Sequence, residues 1–147
     1  MFIVQDILKT KGQDVWTVTT DTSVGEALTM MKEHNIGALL VMEEGKPAGV
    51  FSERDLARGL AGRGDFSLHT PVKTLMTSPV VTVTPTTTIE ACMALMTDKR
   101  IRHLPVMQDD HLLGIISIGD VVKGMLTHKD GLIRQLENYI AGTDYGK

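Results

Sequence analysis

Hydrophobic and polar positions alternate along this chain in two rhythms. Val15-Trp16-Thr17-Val18-Thr19 is rich in β-formers and predicts a strand. Asp21-Thr22-Ser23 then signals a helix start, with Ser23 and Glu26 at capping-box spacing. Val24, Ala27, Leu28 and Met31 recur at helical spacing, which predicts an amphipathic helix with one buried face. Residues 36–42 form an unbroken apolar run, as expected of a strand covered on both faces. A turn at 43–47, a strand at 48–51 and a helix from Ser52 to about Leu60 complete the unit. Ahead of it lies a short apolar lead-in, residues 1–12.

Residues 61–71 are rich in Gly and polar residues and read as a linker, after which the pattern starts again. Residues 72–76 echo the lead-in at 4–8, and 80–84 echo the strand at 15–19. Thr87 and Glu90 open a helix with Ile89, Cys92, Met93 and Met96 on one face. Strands follow at 101–107 and 112–116. A shift of 65 residues superposes 15–59 on 80–124 without a gap, with identities that include Thr22/Thr87, Gly49/Gly114, Ser52/Ser117, Asp55/Asp120 and Gly59/Gly124. The chain is an internal repeat. Two halves, each too small to bury its own apolar faces, are expected to pack as a pseudo-two-fold pair. The expected organisation is repeat one at 1–60, linker at 61–71, repeat two at 72–126 and a separate amphipathic helix at 127–147. That last helix carries a stripe of Leu132, Ile133, Leu136, Tyr139 and Ile140, which must dock on its own core or on a second subunit.

Composition narrows the function classes. With 147 residues and 42% hydrophobic content the chain can bury a sizeable core, but with 4% aromatics its packing rests on aliphatic residues and Met. The net charge of −3 offers no electrostatic reason to expect nucleic acid or an acidic membrane. No apolar run approaches the roughly 20 residues of a membrane span. The N-terminus lacks the pattern of a signal peptide, and a single Cys92 excludes an internal disulfide; both fit a cytoplasmic protein.

The candidate chemistry sits in the two most alike stretches, Gly49-Val50-Phe51-Ser52-Glu53-Arg54-Asp55 and Gly114-Ile115-Ile116-Ser117-Ile118-Gly119-Asp120. Each reads as a strand running directly into a helix start. A helix N-terminus offers free N–H groups and the positive end of a dipole. A hydroxyl and a carboxylate fixed there can hold the vicinal hydroxyls of a ribose, or serve as plain caps. Cys92 falls on a buried helix face, and His34, His69, His111 and His128 are not spaced as metal ligands. Neither a Gly-x-Ser-x-Gly elbow nor a P-loop nor a dinucleotide-fold fingerprint is present, which weighs against an enzyme.

A β-α-β-β-α unit used twice, ending in Gly-h-h-Ser-x-x-Asp (h apolar), resembles the tandem CBS (cystathionine β-synthase) domain pair, or Bateman module. Ile101-Arg102-His103-Leu104-Pro105-Val106, followed by Gly114 to Asp120, is similar to that family's most characteristic stretch. The resemblance implies an α/β fold, a bound adenine nucleotide such as AMP, ATP or NAD, a regulatory role exerted through a partner protein, and a homodimer. It implies ribose contacts at Asp55 and Asp120 with Ser52 and Ser117 beside them, and a base slot lined by Trp16, Val80, Val81, Ile101 and Pro105. It also nominates Arg102 and His103 as phosphate partners for the Asp55 site, and Arg54 for the Asp120 site. The copies are unequal: Gly37-Ala38 stands where the second has Arg102-His103, and Ile118-Gly119 where the first has Glu53-Arg54. The Asp55 site is therefore expected to take a phosphorylated ligand first. The alternative is a dimerisation module whose clefts are empty.

Overall fold

The computed structural model describes residues 2–12, 14–62 and 66–141. The lead-in forms helix α1 (Val4–Lys11). Repeat one follows as β1 (Thr17–Thr19), α2 (Val24–His34), β2 (Ala38–Glu43), β3 (Lys46–Ser52) and α3 (Glu53–Gly62). A 3-10 turn at Val72–Thr74 leads to α4 (Ile89–Lys99), β4 (His103–Gln108), β5 (His111–Ser117) and α5 (Ile118–Ala141). The fold is α/β, as the periodicities predict.

Capping chemistry sets the helix starts. Ser23 Oγ accepts from the Glu26 amide at 3.1 Å, and Thr88 Oγ1 accepts from the Ala91 amide at 3.1 Å. The cap of α4 is thus Thr88, not the expected Thr87; Thr88 is the residue that matches Ser23 in the repeat.

The antiparallel hairpins β2–β3 and β4–β5 share one register, Ala38 opposite Ser52 and His103 opposite Ser117, with a bulge at the same place in both. Their turns put two consecutive residues at positive φ, Glu44 (51°) and Gly45 (80°) in one, Asp109 (50°) and Asp110 (66°) in the other. Such turns match the twist of the flanking strands. Strand β1 pairs in parallel with β2. In the second repeat the corresponding strand, expected over 80–84, shrinks to one parallel bridge between Val83 and Val106.

The two cores do not follow chain order. Val4, Ile7 and Leu8 of α1 pack with Val83, Ile89, Cys92, Leu104 and Ile116 of the second repeat. Val72, with Leu75 and Met76 against it, packs with Val24, Leu39, Val41 and Phe51 of the first. Backbone bonds fix the exchange: the Val4 amide donates to Thr87 O (2.9 Å), and the Val72 amide to Thr22 O (2.8 Å). The repeated helix glycines receive the exchanged segments. A Cβ on Gly59 would lie 3.0 Å from Leu75, and one on Gly124 would lie 2.9 Å from the Phe2 ring. The two repeats are thereby interlocked, each core completed by the other's leader.

The expected separate helix at 127–147 does not begin afresh. Residues 127–141 continue α5, and 142–147 lie outside the described residues, as do the side chains of Leu132 and Tyr139 in the expected stripe. Val122, Leu126, Ile133, Leu136 and Ile140 are exposed along α5. No described helix is long and apolar enough to cross a membrane.

Candidate functional site

Strand β3 delivers Ser52 and helix α3 delivers Asp55, and the strand-to-helix turn closes them into a box. Asp55 Oδ2 accepts from the Ser52 amide (2.8 Å) and the Ser52 hydroxyl (3.0 Å), while the Asp55 amide donates back to Ser52 Oγ at 3.4 Å. Asp55 Oδ1 accepts from the Thr77 hydroxyl at 2.6 Å. Asp55 is only 5% exposed, the one buried charged residue among those described. It is therefore part of the packed interior and not the exposed cap that its position at a helix start suggests.

This carboxylate forms one wall of a cavity of about 310 Å³. Val50, Ser52, Glu53, Arg54, Asp55, Arg58 and Gly37 line it from the first repeat, and Pro79, Val80, Val81, Ile101, Arg102 and His103 from the second, with Thr77, Lys99 and Arg100. The volume falls at the lower end of the range for small-molecule sites. Val80, Val81 and Ile101 give it an apolar lining beside the Ser52–Asp55 box. Five cations, Arg54, Arg58, Lys99, Arg100 and Arg102, face two carboxylates, a surplus of positive charge in a chain of net charge −3. No side chain of the five has a hydrogen-bond or ion-pair partner among the described residues. Arg100 also caps α4 in the left-handed region, φ 55°, a conformation that costs an arginine on the order of 1–2 kcal/mol. Its repeat counterpart Asn35, at φ 54°, tolerates that conformation more readily.

The expected site residues divide. Ser52, Asp55, Val80, Val81, Ile101, Arg102 and His103 meet in this cavity. Arg102 precedes β4 and does not alternate with His103 along a strand, so both line the same space. Arg54 lines the Asp55 cavity instead of the Asp120 site to which it was assigned, because it sits on the first turn of the same helix as Asp55. Trp16 does not line the cavity. It lies on the surface before β1 with its ring stacked on His34, centroids 3.5 Å apart. Pro105 is buried inside β4, where its carbonyl accepts from the Val83 amide at 3.0 Å. The cavity also holds Thr77, Arg58, Lys99 and Arg100, which the repeat and the resemblance do not mark. The i, i+4 spacing of Arg54 and Arg58 on one helix face was the available signal for Arg58; Thr77 has no local one.

The second box forms in the same way but has a different neighbour. The Ser117 amide donates to Asp120 Oδ2 at 2.8 Å, and the Asp120 amide donates to Ser117 Oγ at 3.1 Å. Lys11 Nζ lies 2.5 Å from the same Oδ2. Burial pushes the Asp120 carboxyl upward, but the Lys11 ammonium and the Ser117 N–H outweigh it and hold the group below the usual carboxylate range. His103 stands between the two boxes. Burial, then the nearby Lys11 charge, lower its pKa against the opposing pull of Asp120, with Arg102 lowering it and Asp55 raising it further down the order. Cys92 is buried, and desolvation with the charge of Glu90 raises its thiol pKa to about 11, so the site has no activated thiol near it.

Comparisons with known proteins agree with this architecture. The chain is 39% identical over 149 residues to the mitochondrial CBS domain-containing protein CBSX3 of Arabidopsis thaliana, covering 95% of this chain and 72% of that one. The crystal structure of the CBS-domain containing protein ATU1752 from Agrobacterium tumefaciens superposes with a TM-score of 0.79 at 45% identity, over 84% of this chain and 98% of that one. The CBS domain pair of protein MJ0100, solved with 5′-methylthioadenosine and S-adenosyl-L-methionine, superposes with a TM-score of 0.75 at 25% identity, over 88% of this chain and 98% of that one. The CBS domain profile matches twice, at residues 4–62 and 72–130. With two matches that span most of its length, the chain belongs to the CBS domain family as a tandem pair.

Proposed function

We propose that this protein is a regulatory sensor of an adenine nucleotide, AMP or a relative such as ATP or NAD, which binds in the Asp55 cavity. Asp55 and Ser52 take the ribose hydroxyls, Val80, Val81 and Ile101 flank the base, and Arg102 with His103 and Arg54 receives phosphate. The observation that carries this reading is the pairing of a buried carboxylate at a helix start with unpartnered cations around one cavity. An ordinary cap needs no such rim; an anionic ligand that also carries a diol needs both. The adenosyl ligands in the MJ0100 structure support the same ligand class.

The role is binding and signalling, not turnover. Output passes to an effector protein, and the copies pair as a homodimer through the exposed stripe of α5, Leu126, Ile133 and Ile140 at seven-residue spacing. Light scattering on the full chain and on a form ending at Thr127 tests this pairing, which fails if the two forms give the same mass per particle. Mass spectrometry of small molecules released from the purified protein, with thermal-shift measurements against AMP, ATP and NAD, tests the sensor. A protein that releases no nucleotide and is stabilised by none of the three is a dimerisation module with empty clefts.

A further inference from the structure

The two Ser-x-x-Asp boxes differ in what approaches their carboxylates. At Asp55 the neighbour is a neutral hydroxyl: Thr77 donates one bond, 2.6 Å, to Oδ1. At Asp120 it is a full charge. Lys11 Nζ donates to Asp120 Oδ2 at 2.5 Å and to the Ile115 carbonyl at 2.6 Å, bridging helix start and strand end. In the first repeat, Val50, the match of Ile115, instead pairs by backbone with Thr77, the Thr77 amide donating to its carbonyl at 2.9 Å.

Lys11 is held there. It ends α1, whose Val4, Ile7 and Leu8 are anchored in the second core, and the next residue, Gly12, turns the chain away at φ 93°. In the register that matches the leaders, 4–8 with 72–76, its counterpart is the uncharged Pro79. A ribose diol can take over what a single threonine hydroxyl gives Asp55. At Asp120 it would have to displace an ammonium from an acidic partner and a carbonyl together, and neutral hydroxyls return less than a charge-assisted contact. The second box also has fewer cations for phosphate: the residues matching Arg102, His103 and Arg54 are Gly37, Ala38 and Gly119, and only Lys123, the match of Arg58, keeps a charge.

We propose that Lys11 occupies the ribose-binding carboxylate of the second repeat, so that the chain takes one nucleotide, at Asp55 alone. This rests on the nucleotide reading above. Lys11 is then the residue that decides which cleft is open.

Calorimetric titration of the full chain with AMP tests it, alongside a nucleotide-free readout. One AMP per chain is expected for the parent and for Lys11→Arg. Lys11→Met is expected to bind a second, more weakly than the first because fewer cations meet its phosphate, and a further Asp120→Ala substitution removes it. In the absence of nucleotide, NMR titration should show the His103 pKa rising in Lys11→Met, since a nearby cation is lost and Asp120 is unmasked, and staying in place in Lys11→Arg. Two AMP molecules per chain in the parent overturn the proposal, as does a Lys11→Met protein whose His103 has shifted but which still binds one. If AMP binds to none of these proteins, the nucleotide reading fails by itself. The His103 titration then decides the Lys11 placement: a shift in Lys11→Met upholds it and no shift overturns it.

Discussion

The Thr77 hydroxyl donates to Asp55 Oδ1 across 2.6 Å, which ties the leader of the second repeat to the first turn of α3 in the first. Asp55 therefore has two duties. It closes the cap box with Ser52, and it pins an exchanged segment whose Val72 is fully buried in the first core. A ligand diol at Asp55 would compete with Thr77 for one oxygen and leave the cap on the other.

Substitution of Asp55 by Ala should reveal both duties. It removes the acceptor for Ser52 N–H, Ser52 O–H and Thr77 O–H, and hydrogen bonds to a charged group contribute about 1.5–3 kcal/mol. A fall in Tm of roughly 5–10 °C is expected for a chain of this size, with AMP affinity reduced about ten- to a hundred-fold. Calorimetry reads both quantities. An unchanged Tm would mean that the buried box adds nothing to the fold.

Arg102→Ala should separate phosphate from ribose. A guanidinium offers a fixed fork to phosphate oxygens, so AMP should weaken about tenfold or more while adenosine stays within about threefold. Rising salt should weaken AMP and spare adenosine. Equal losses for AMP and adenosine would show that Arg102 shapes the cleft and does not hold phosphate.

His103 should make stability depend on pH. Its folded pKa lies below its ordinary value, first through burial and then through Lys11. The unfolded chain then takes up the proton more readily. Stability should fall as pH drops through about 6.5 towards the lower folded value, and should be constant above it. Thermal unfolding between pH 7.5 and 5 should show a smaller loss in His103→Asn than in the parent. Parallel curves would remove His103 as the source.

The exchanged leaders predict an effect at a distance in sequence. Leu8 is 4% exposed in the second core, so Leu8→Ala should cost about 2–4 kcal/mol. Hydrogen exchange should quicken first in β4 and β5, not in β1 to β3, which follow Leu8 in the chain. Faster exchange in the first repeat alone would contradict the interlocked packing.

Much of the fold was legible because its signals are local and periodic. The 65-residue repeat, the helical spacing of Val24, Ala27 and Met31, and the apolar run from Ile36 depend on neighbours a few positions apart. The paired boxes could be read for the same reason: Ser52 and Asp55 meet within one helical turn. The repeat register also exposes the inequality of Gly37-Ala38 and Arg102-His103.

Tertiary structure alone decided which groups share a space. Trp16 and Pro105 lie at positions that the family resemblance nominates, yet stacking on His34 and burial in β4 keep them from the Asp55 cavity. Arg54 serves the cleft of its own helix, and Thr77 reaches Asp55 from 22 positions away. Lys11 meets Asp120 from 109 positions away. Composition and periodicity carry no record of such meetings, because they arise when each leader buries its apolar face in the opposite repeat. The amino-acid sequence by itself determined two matching Ser-x-x-Asp boxes at helix starts; the crossing of the leaders put a hydroxyl beside one and an ammonium on the other.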